Sequence, residues 1–220
     1  IAGDSIVMLL LMGAFTSFIL GIGMTVTAAY IFLAIVLAPA LVQGGLDPMS
    51  VHLFILYWGM LSFITPPVAL GAFAAASIAG ASALSTGFKA MRLGSVIYFI
   101  PFFFVLEPAL IMQGTAADIV MTTAVAAMGI TLIAGGLQAY MPFIGFLDKA
   151  GSAASAGRVV IVTGGILVAL PGLDSIGIPI GDLPLFAVGM TMGVAGILAS
   201  RRVTVVPEFA NPQAEVNDTN

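Results

Sequence analysis

YWGMLSFITPPVALGAF, residues 57–73, sets two adjacent prolines inside a hydrophobic stretch long enough to cross a bilayer. Each proline lacks a backbone donor and its ring clashes with a carbonyl one turn earlier. Residues 53–64 and 68–79 therefore read as half-helices on either side of Thr65, Pro66 and Pro67. Carbonyls beside such a break lose their intrahelical partners. In hydrocarbon they are tolerated where protein, water or a bound ion satisfies them, which makes the break a candidate site. The plainer alternative is a proline kink of the kind common in membrane helices.

The composition extends this reading to the whole chain. Its 220 residues are 60% hydrophobic and 7% charged with a mean hydropathy of +1.19, too apolar for a soluble domain. The expected fold class is an all-α polytopic membrane protein. A β-barrel would alternate polar and apolar residues, whereas 6–20 and 97–112 are almost continuously apolar. The net charge of -4 says little, because Glu208, Glu215 and Asp218 lie in the tail. The lack of cysteine excludes disulfides, thiolate metal sites and cysteine nucleophiles. At the start, IAGD leads straight into an apolar run without a basic region, which points to a fragment and not a signal peptide.

Upstream of the break, apolar segments 5–20 and 28–42 are joined by GIGMTVT, residues 21–27, rich in glycine and hydroxyl groups and devoid of charge. A loop emerging into water normally carries charge, so 5–42 is expected to be a re-entrant helical hairpin whose tip stays within the protein at membrane depth. Two ordinary spanning helices joined by a short turn are also compatible with these lengths. QGGLDP, residues 43–48, is a polar turn before the broken helix 50–80. His52, the single histidine, lies beside Tyr57 and Trp58 and reads as interfacial.

Downstream, residues 82–92 (SALSTGFKAMR) form an amphipathic connector in the interface. Residues 94–113, with Pro101, Glu107 and Pro108, are expected to be a spanning helix, as are 115–140, with Asp118 in the first turn. A small-residue and charged loop is expected over 141–158. Residues 159–170 are apolar but short, and 183–200 are a better span carrying Gly189 and Gly193 in GxxxG spacing. The expected units are 1–113 as half of a transport core, 114–202 as additional transmembrane helices and 203–220 as a disordered tail.

All six basic residues, Lys89, Arg92, Lys149, Arg158, Arg201 and Arg202, fall on one side if the four downstream helices each cross once. That side is the cytoplasmic one by the positive-inside rule, which puts Asp47 and the open ends of the hairpin outside. With about 14 residues on either side at roughly 1.5 Å each, the Pro66–Pro67 break is expected near mid-membrane, where the hairpin tip can meet it. A hairpin tip facing a broken helix is how secondary transporters hold sodium and substrate, with exposed carbonyls, hydroxyls and helix dipoles.

GIGMTVTAAYIFLAIVLAPALV followed by HLFILYWGMLSFITPPVALGAFAAASIAG resembles the large membrane subunit of tripartite ATP-independent periplasmic (TRAP) transporters. The likeness covers about residues 1 to 113, through the glycine-rich tip, the AAYI continuation, the FxxxxGMLSxITPPVA run and the FxxEPAL ending. Residues 115–200 are similar to the extra C-terminal helices of the fused type, in which small and large subunits share one chain. The resemblance implies the C-terminal portion of an elevator-type, sodium-coupled importer in a bacterial inner membrane. It further implies a periplasmic solute-binding protein as partner, the remainder of the permease chain, and small organic anions such as dicarboxylates, keto acids, sialic acid or sulfonates as solutes. Family tips commonly read GMGLPTTA; here Thr25 replaces the proline, and Val26 replaces a threonine and removes a hydroxyl.

The residues expected to coordinate sodium, mainly through the backbone carbonyls of 21–24 and 59–62, are Gly21, Gly23, Met24, Thr27, Gly59, Ser62 and Thr65. Solute anions are expected where half-helix N-termini lie, at Thr25, Thr27, Pro66 and Pro67. Neither element carries a carboxylate, so carbonyl and helix C-terminal dipoles must offset the cation. No catalytic residue, organic cofactor, other metal or nucleic acid is expected. Glu107 reads as interfacial, with a proton relay as the alternative. The competing functions are another ion-coupled transporter, an intramembrane enzyme and a purely structural subunit. Ser62 and His52, ten residues apart on one helix and so about 15 Å apart, are too distant for a dyad. PIGD at 179–182 lacks the glycine of a GxGD motif.

Overall fold

The computed structural model describes residues 6–142, 144–147, 152–170 and 181–200, and over these the chain is helical apart from one short β-hairpin. Helix α1, Ile6–Gly21, is apolar around its whole circumference, so Phe15 is 68% exposed although Leu10 and Ala14 are buried. A helix with no polar face suits a lipid or protein surround, not water. The chain turns tightly at Gly23, in the left-handed region at φ 78°, and re-enters a helix at Thr25, whose hydroxyl accepts from the Ala28 N–H. Helix α2, Val26–Val36, is separated at Leu37 from α3, Ala38–Gln43, whose Pro39 cannot continue the hydrogen-bond ladder. Asp47 then caps α4, Pro48–Met60, accepting from the Ser50 N–H at 2.8 Å.

Helices α1 and α4 run in the same direction. Gly13 lies against Phe54 and, two turns on, Gly21 lies against Gly59. Both hairpin arms pack on α4, with Leu10, Leu33, Leu41, Phe54 and Ile55 at the centre of the core. A 3-10 turn, Leu61–Phe63, ends α4, and the chain is irregular from Ile64 to Ala69, with a cis peptide at Pro66–Pro67. Helix α5, Leu70–Ala79, turns at Gly80 into α6, Ala83–Leu93, which folds back so that Gly87 rests on Pro66, Ala69 and Phe73.

The expected helix over 94–113 is interrupted. It comprises a 3-10 turn Ser95–Tyr98, α7 Ile100–Leu106, an extended Glu107 and a second 3-10 turn Pro108–Ile111. Pro101 and Pro108 remove donors, and Glu107, as the residue before a proline, is pushed out of the helical region. The segment runs back along α4, with Tyr98 and Phe102 on Trp58 and Phe102 on Phe54.

Helix α8, Ala116–Gln138, opens with a capping box between Thr115 and Asp118 and leads through β1, Tyr140–Met141, and β2, Gly145–Phe146, to α9, Ser152–Ala169. Helix α9 therefore begins inside the expected 141–158 loop; its small residues let it approach α10, Asp182–Ser200. The three helices meet at glycines. A Cβ on Gly165 would come within 2.7 Å of the Gly129 carbonyl oxygen, and one on Gly189 within 2.6 Å of that of Gly164. Without side chains at these positions the backbones dock directly, as small residues allow in membrane helices. Helices α8 and α10 are long and apolar enough to cross a membrane, and α6 with the segment to Leu106 is a further candidate bent by 65°.

Charge divides by end. Arg158 donates to the Gly136 and Leu137 carbonyls at 2.9 and 3.2 Å, and Gln138 donates to the Leu93 carbonyl, so Lys89, Arg92 and Arg158 gather where α8 finishes. At its start, about 34 Å away at the α-helical rise, Glu107, Asp118 and Asp182 line one cavity and Gln113 reaches Asp47. These are all the charged side chains among the described residues. The break lies nearer the basic end than the expected mid-level: α4 with its 3-10 turn covers about 26 Å, and Gly94 beside Leu93 touches Ile64. The expected sites of Lys149, Arg201, Arg202 and the 203–220 tail lie outside the described residues.

Candidate ion and solute site

Two helix C-termini arrive side by side at the break, those of α1 and α4. Gly21 permits it: a Cβ there would overlap the Gly59 carbonyl oxygen. Ser62, 3% exposed, has its hydroxyl 2.9 Å from the Gly21 carbonyl and 3.1 Å from the Gly59 carbonyl. A serine has one proton to donate, so the two carbonyls share or alternate it, and each keeps unused accepting capacity. Thr65 donates to the Leu61 carbonyl at 2.7 Å, and its oxygen lies 2.5 Å from the Tyr98 hydroxyl.

The result is a run of hard oxygens, Gly21 O, Gly59 O and Leu61 O with Ser62 Oγ and Thr65 Oγ1, at the negative ends of two helix dipoles. No acidic side chain occurs in α1, the tip or α4. Such a cluster suits a small hard cation bound without a full counter-charge.

The remaining sequence-predicted residues are arranged differently. Gly23, Thr25 and Thr27 are exposed on the tip and Met24 is half-buried. The Thr25 hydroxyl is engaged as the cap of α2. The hydrogen bond from tip to break runs through Gly21. Pro66 is packed under Gly87 of α6, while Pro67 is exposed. At the start of α5 the buried Ala69 takes a left-handed conformation at φ 34°, unfavourable for a residue with a Cβ.

Tyr98 lies at Thr65 without having been singled out in the sequence, and Leu61 falls within the 59–62 stretch. Leu61 contributes only a carbonyl, for which residue type carries no signal. Tyr98 carried a weak one, because a phenol inside an apolar run needs a hydrogen-bond partner. His52 pairs with Tyr30, Nδ1 to hydroxyl at 3.0 Å, and Ser62 with the Gly21 carbonyl, so these two residues form no dyad. Glu107 accepts from the Ala109 N–H and lines the cavity of about 390 Å³ between the core and the C-terminal helices. Outside the spans, the Ser50 N–H holds the Asp47 carboxyl below its ordinary value of 3.8, with Gln113 assisting.

Residues 1–119 match the family model described as Tripartite ATP-independent periplasmic transporter, DctM component. No match was found among the curated proteins or the solved structures.

Proposed function

The chain belongs to the DctM component family of tripartite ATP-independent periplasmic transporters, and from that premise we propose that it couples the import of organic acid anions to sodium at the meeting of the hairpin tip and the broken helix. The family membership makes it a membrane transporter component and not an enzyme, one whose partners are a periplasmic binding protein and other permease parts. Sodium coupling is supported by one observation above others: the Ser62 hydroxyl bridges the C-terminal carbonyls of α1 and α4, bringing three hard oxygens together. Sodium prefers such donors, and helix C-terminal dipoles offset its charge.

The organic anion, of the dicarboxylate, keto acid or sulfonate class, would lie at the opposite dipole ends, the N-termini of α2 and α5 around Thr25, Thr27, Pro66 and Pro67. No arginine occurs between α1 and α5, so amide dipoles and hydroxyls from this chain would be joined by groups from the rest of the permease. In this reading residues 1–113 are half of an elevator-type transport core and 114–202 the additional helices of a fused permease in the bacterial inner membrane. The basic end then faces the cytoplasm.

Uptake into proteoliposomes containing the full-length permease, with its binding protein and a panel of organic acids, tests this. Accumulation that requires an inward sodium gradient and is weakened by Thr65→Val supports the proposal. Uptake indifferent to sodium rejects it.

A further inference from the structure

We propose that Tyr98, which belongs to neither the hairpin nor the broken helix, positions the Thr65 hydroxyl so that a lone pair remains directed at the ion; the inference rests on the sodium reading of the break. Proton counting carries the first step. Thr65 has a single hydroxyl proton, and the Leu61 carbonyl 2.7 Å away takes it. The proton in the Thr65–Tyr98 pair must then come from Tyr98. The Thr65 oxygen thus donates in one direction, accepts in a second and keeps one lone pair in a fixed third. Without Tyr98 the hydroxyl would be held by the Leu61 carbonyl alone, with neither lone pair fixed by a donor.

The geometry of Tyr98 is itself held from several sides. Its ring meets Trp58 edge-on at 6.1 Å and 68°, and Trp58 in turn meets Phe18 of α1 at 6.5 Å and Phe102 of α7 at 5.7 Å. Edge-to-face contacts of this kind favour one orientation over others. The phenol therefore brings to Thr65 a donor set by α1, α4 and α7 together. Tyr98 ends the 3-10 turn that follows α6, so a change at the α6–α7 joint would reach the ion through this bond. It is a positioning residue, acting through Thr65.

The test is equilibrium binding of radiolabelled sodium to the full-length permease in detergent, with choline replacing sodium at constant ionic strength. Tyr98→Phe keeps the ring and its contact with Trp58 and removes the hydroxyl. The expected result is a half-saturating sodium concentration raised about five-fold, the worth of one ordinary hydrogen bond, with the number of sites unchanged. Thr65→Val raises it at least as far, Tyr98→Phe adds nothing to Thr65→Val, and Thr65→Ser, which keeps the hydroxyl, raises it less than Thr65→Val. Wild-type affinity in Tyr98→Phe alongside weakened binding in Thr65→Val overturns the role of Tyr98 and leaves the sodium site standing. A lower melting temperature in choline with wild-type sodium affinity marks a purely structural clasp and overturns it too. Wild-type affinity in both variants takes Thr65 and Tyr98 out of the site, whereas no saturable sodium binding by the wild type removes the sodium reading itself.

Discussion

Ser62 donates its hydroxyl to the carbonyl of Gly21, 41 residues earlier in the chain, at 2.9 Å. This bond ties the end of α1 to the end of α4, and it is possible only because residue 21 has no side chain to meet the Gly59 carbonyl.

Gly21→Ala should therefore separate the two helix ends. Overpacking of this kind costs about 1–3 kcal/mol. The expected outcome is a lower melting temperature of the purified permease together with loss of sodium-dependent thermal protection. A variant with wild-type melting behaviour and full sodium protection would show that the approach of Gly21 to Gly59 is dispensable.

Gly189→Val addresses the C-terminal helices. Its Cβ would fall 2.6 Å from the Gly164 carbonyl oxygen and 2.9 Å from the Val168 nitrogen, both backbone atoms that cannot swing away. Destabilisation of about 1–3 kcal/mol is expected, read as a lower melting temperature, while the sodium affinity of the correctly assembled fraction stays at the wild-type value. Reduced sodium affinity would instead tie the α8–α10 bundle directly to the ion.

Asp47 sets an acid limb on stability. Its carboxyl titrates lower in the folded protein than its ordinary 3.8, chiefly through the Ser50 N–H. The stabilisation is complete above that ordinary value and is lost as pH falls through the lower folded one. Melting temperature should thus fall on strong acidification, and less steeply in Asp47→Asn, which still caps α4 but cannot titrate. An identical acid limb in the variant contradicts the assignment.

Arg158→Ala removes two donors from the last carbonyls of α8, those of Gly136 and Leu137. Charged hydrogen bonds of this kind contribute on the order of 2 kcal/mol, and the loss should show as faster amide exchange at the end of α8. Unaltered exchange there would assign the helix end to other contacts.

Much of this architecture was legible from chemistry that residues announce locally. Pro66 and Pro67 cannot donate, so α4 had to end before them, whereas the uncharged loop of glycines and threonines, expected to stay within the protein, has Gly23, Thr25 and Thr27 exposed. The interruption at Glu107–Pro108 was written in the same terms, although continuous hydropathy over 94–113 concealed it. The depth of the break was not legible. Equal residue counts on its two sides suggest a midpoint, but α5 folds back against α6 in place of extending onward, as the contact of Gly87 with Phe73 shows. The start of α9 at Ser152 was hidden because small residues resemble a loop in composition and a close-packed helix in structure. Gly21 and Thr65 were identifiable as candidates, yet the pairing of Gly21 with Gly59 and the arrival of Tyr98 at Thr65 depend on long-range packing that no local pattern encodes.

Ser62→Ala tests the oxygen cluster most directly, because it removes a hydroxyl bonded to both helix ends. Sodium-driven uptake should be measured in proteoliposomes as a function of sodium concentration for wild type and variant, with the same binding protein and solute. The half-saturating sodium concentration is predicted to rise about five-fold, as expected for the loss of one hydrogen-bonding ligand, with little change in maximal rate. Superimposable sodium curves would contradict the placement of the coupling ion between Gly21 and Ser62.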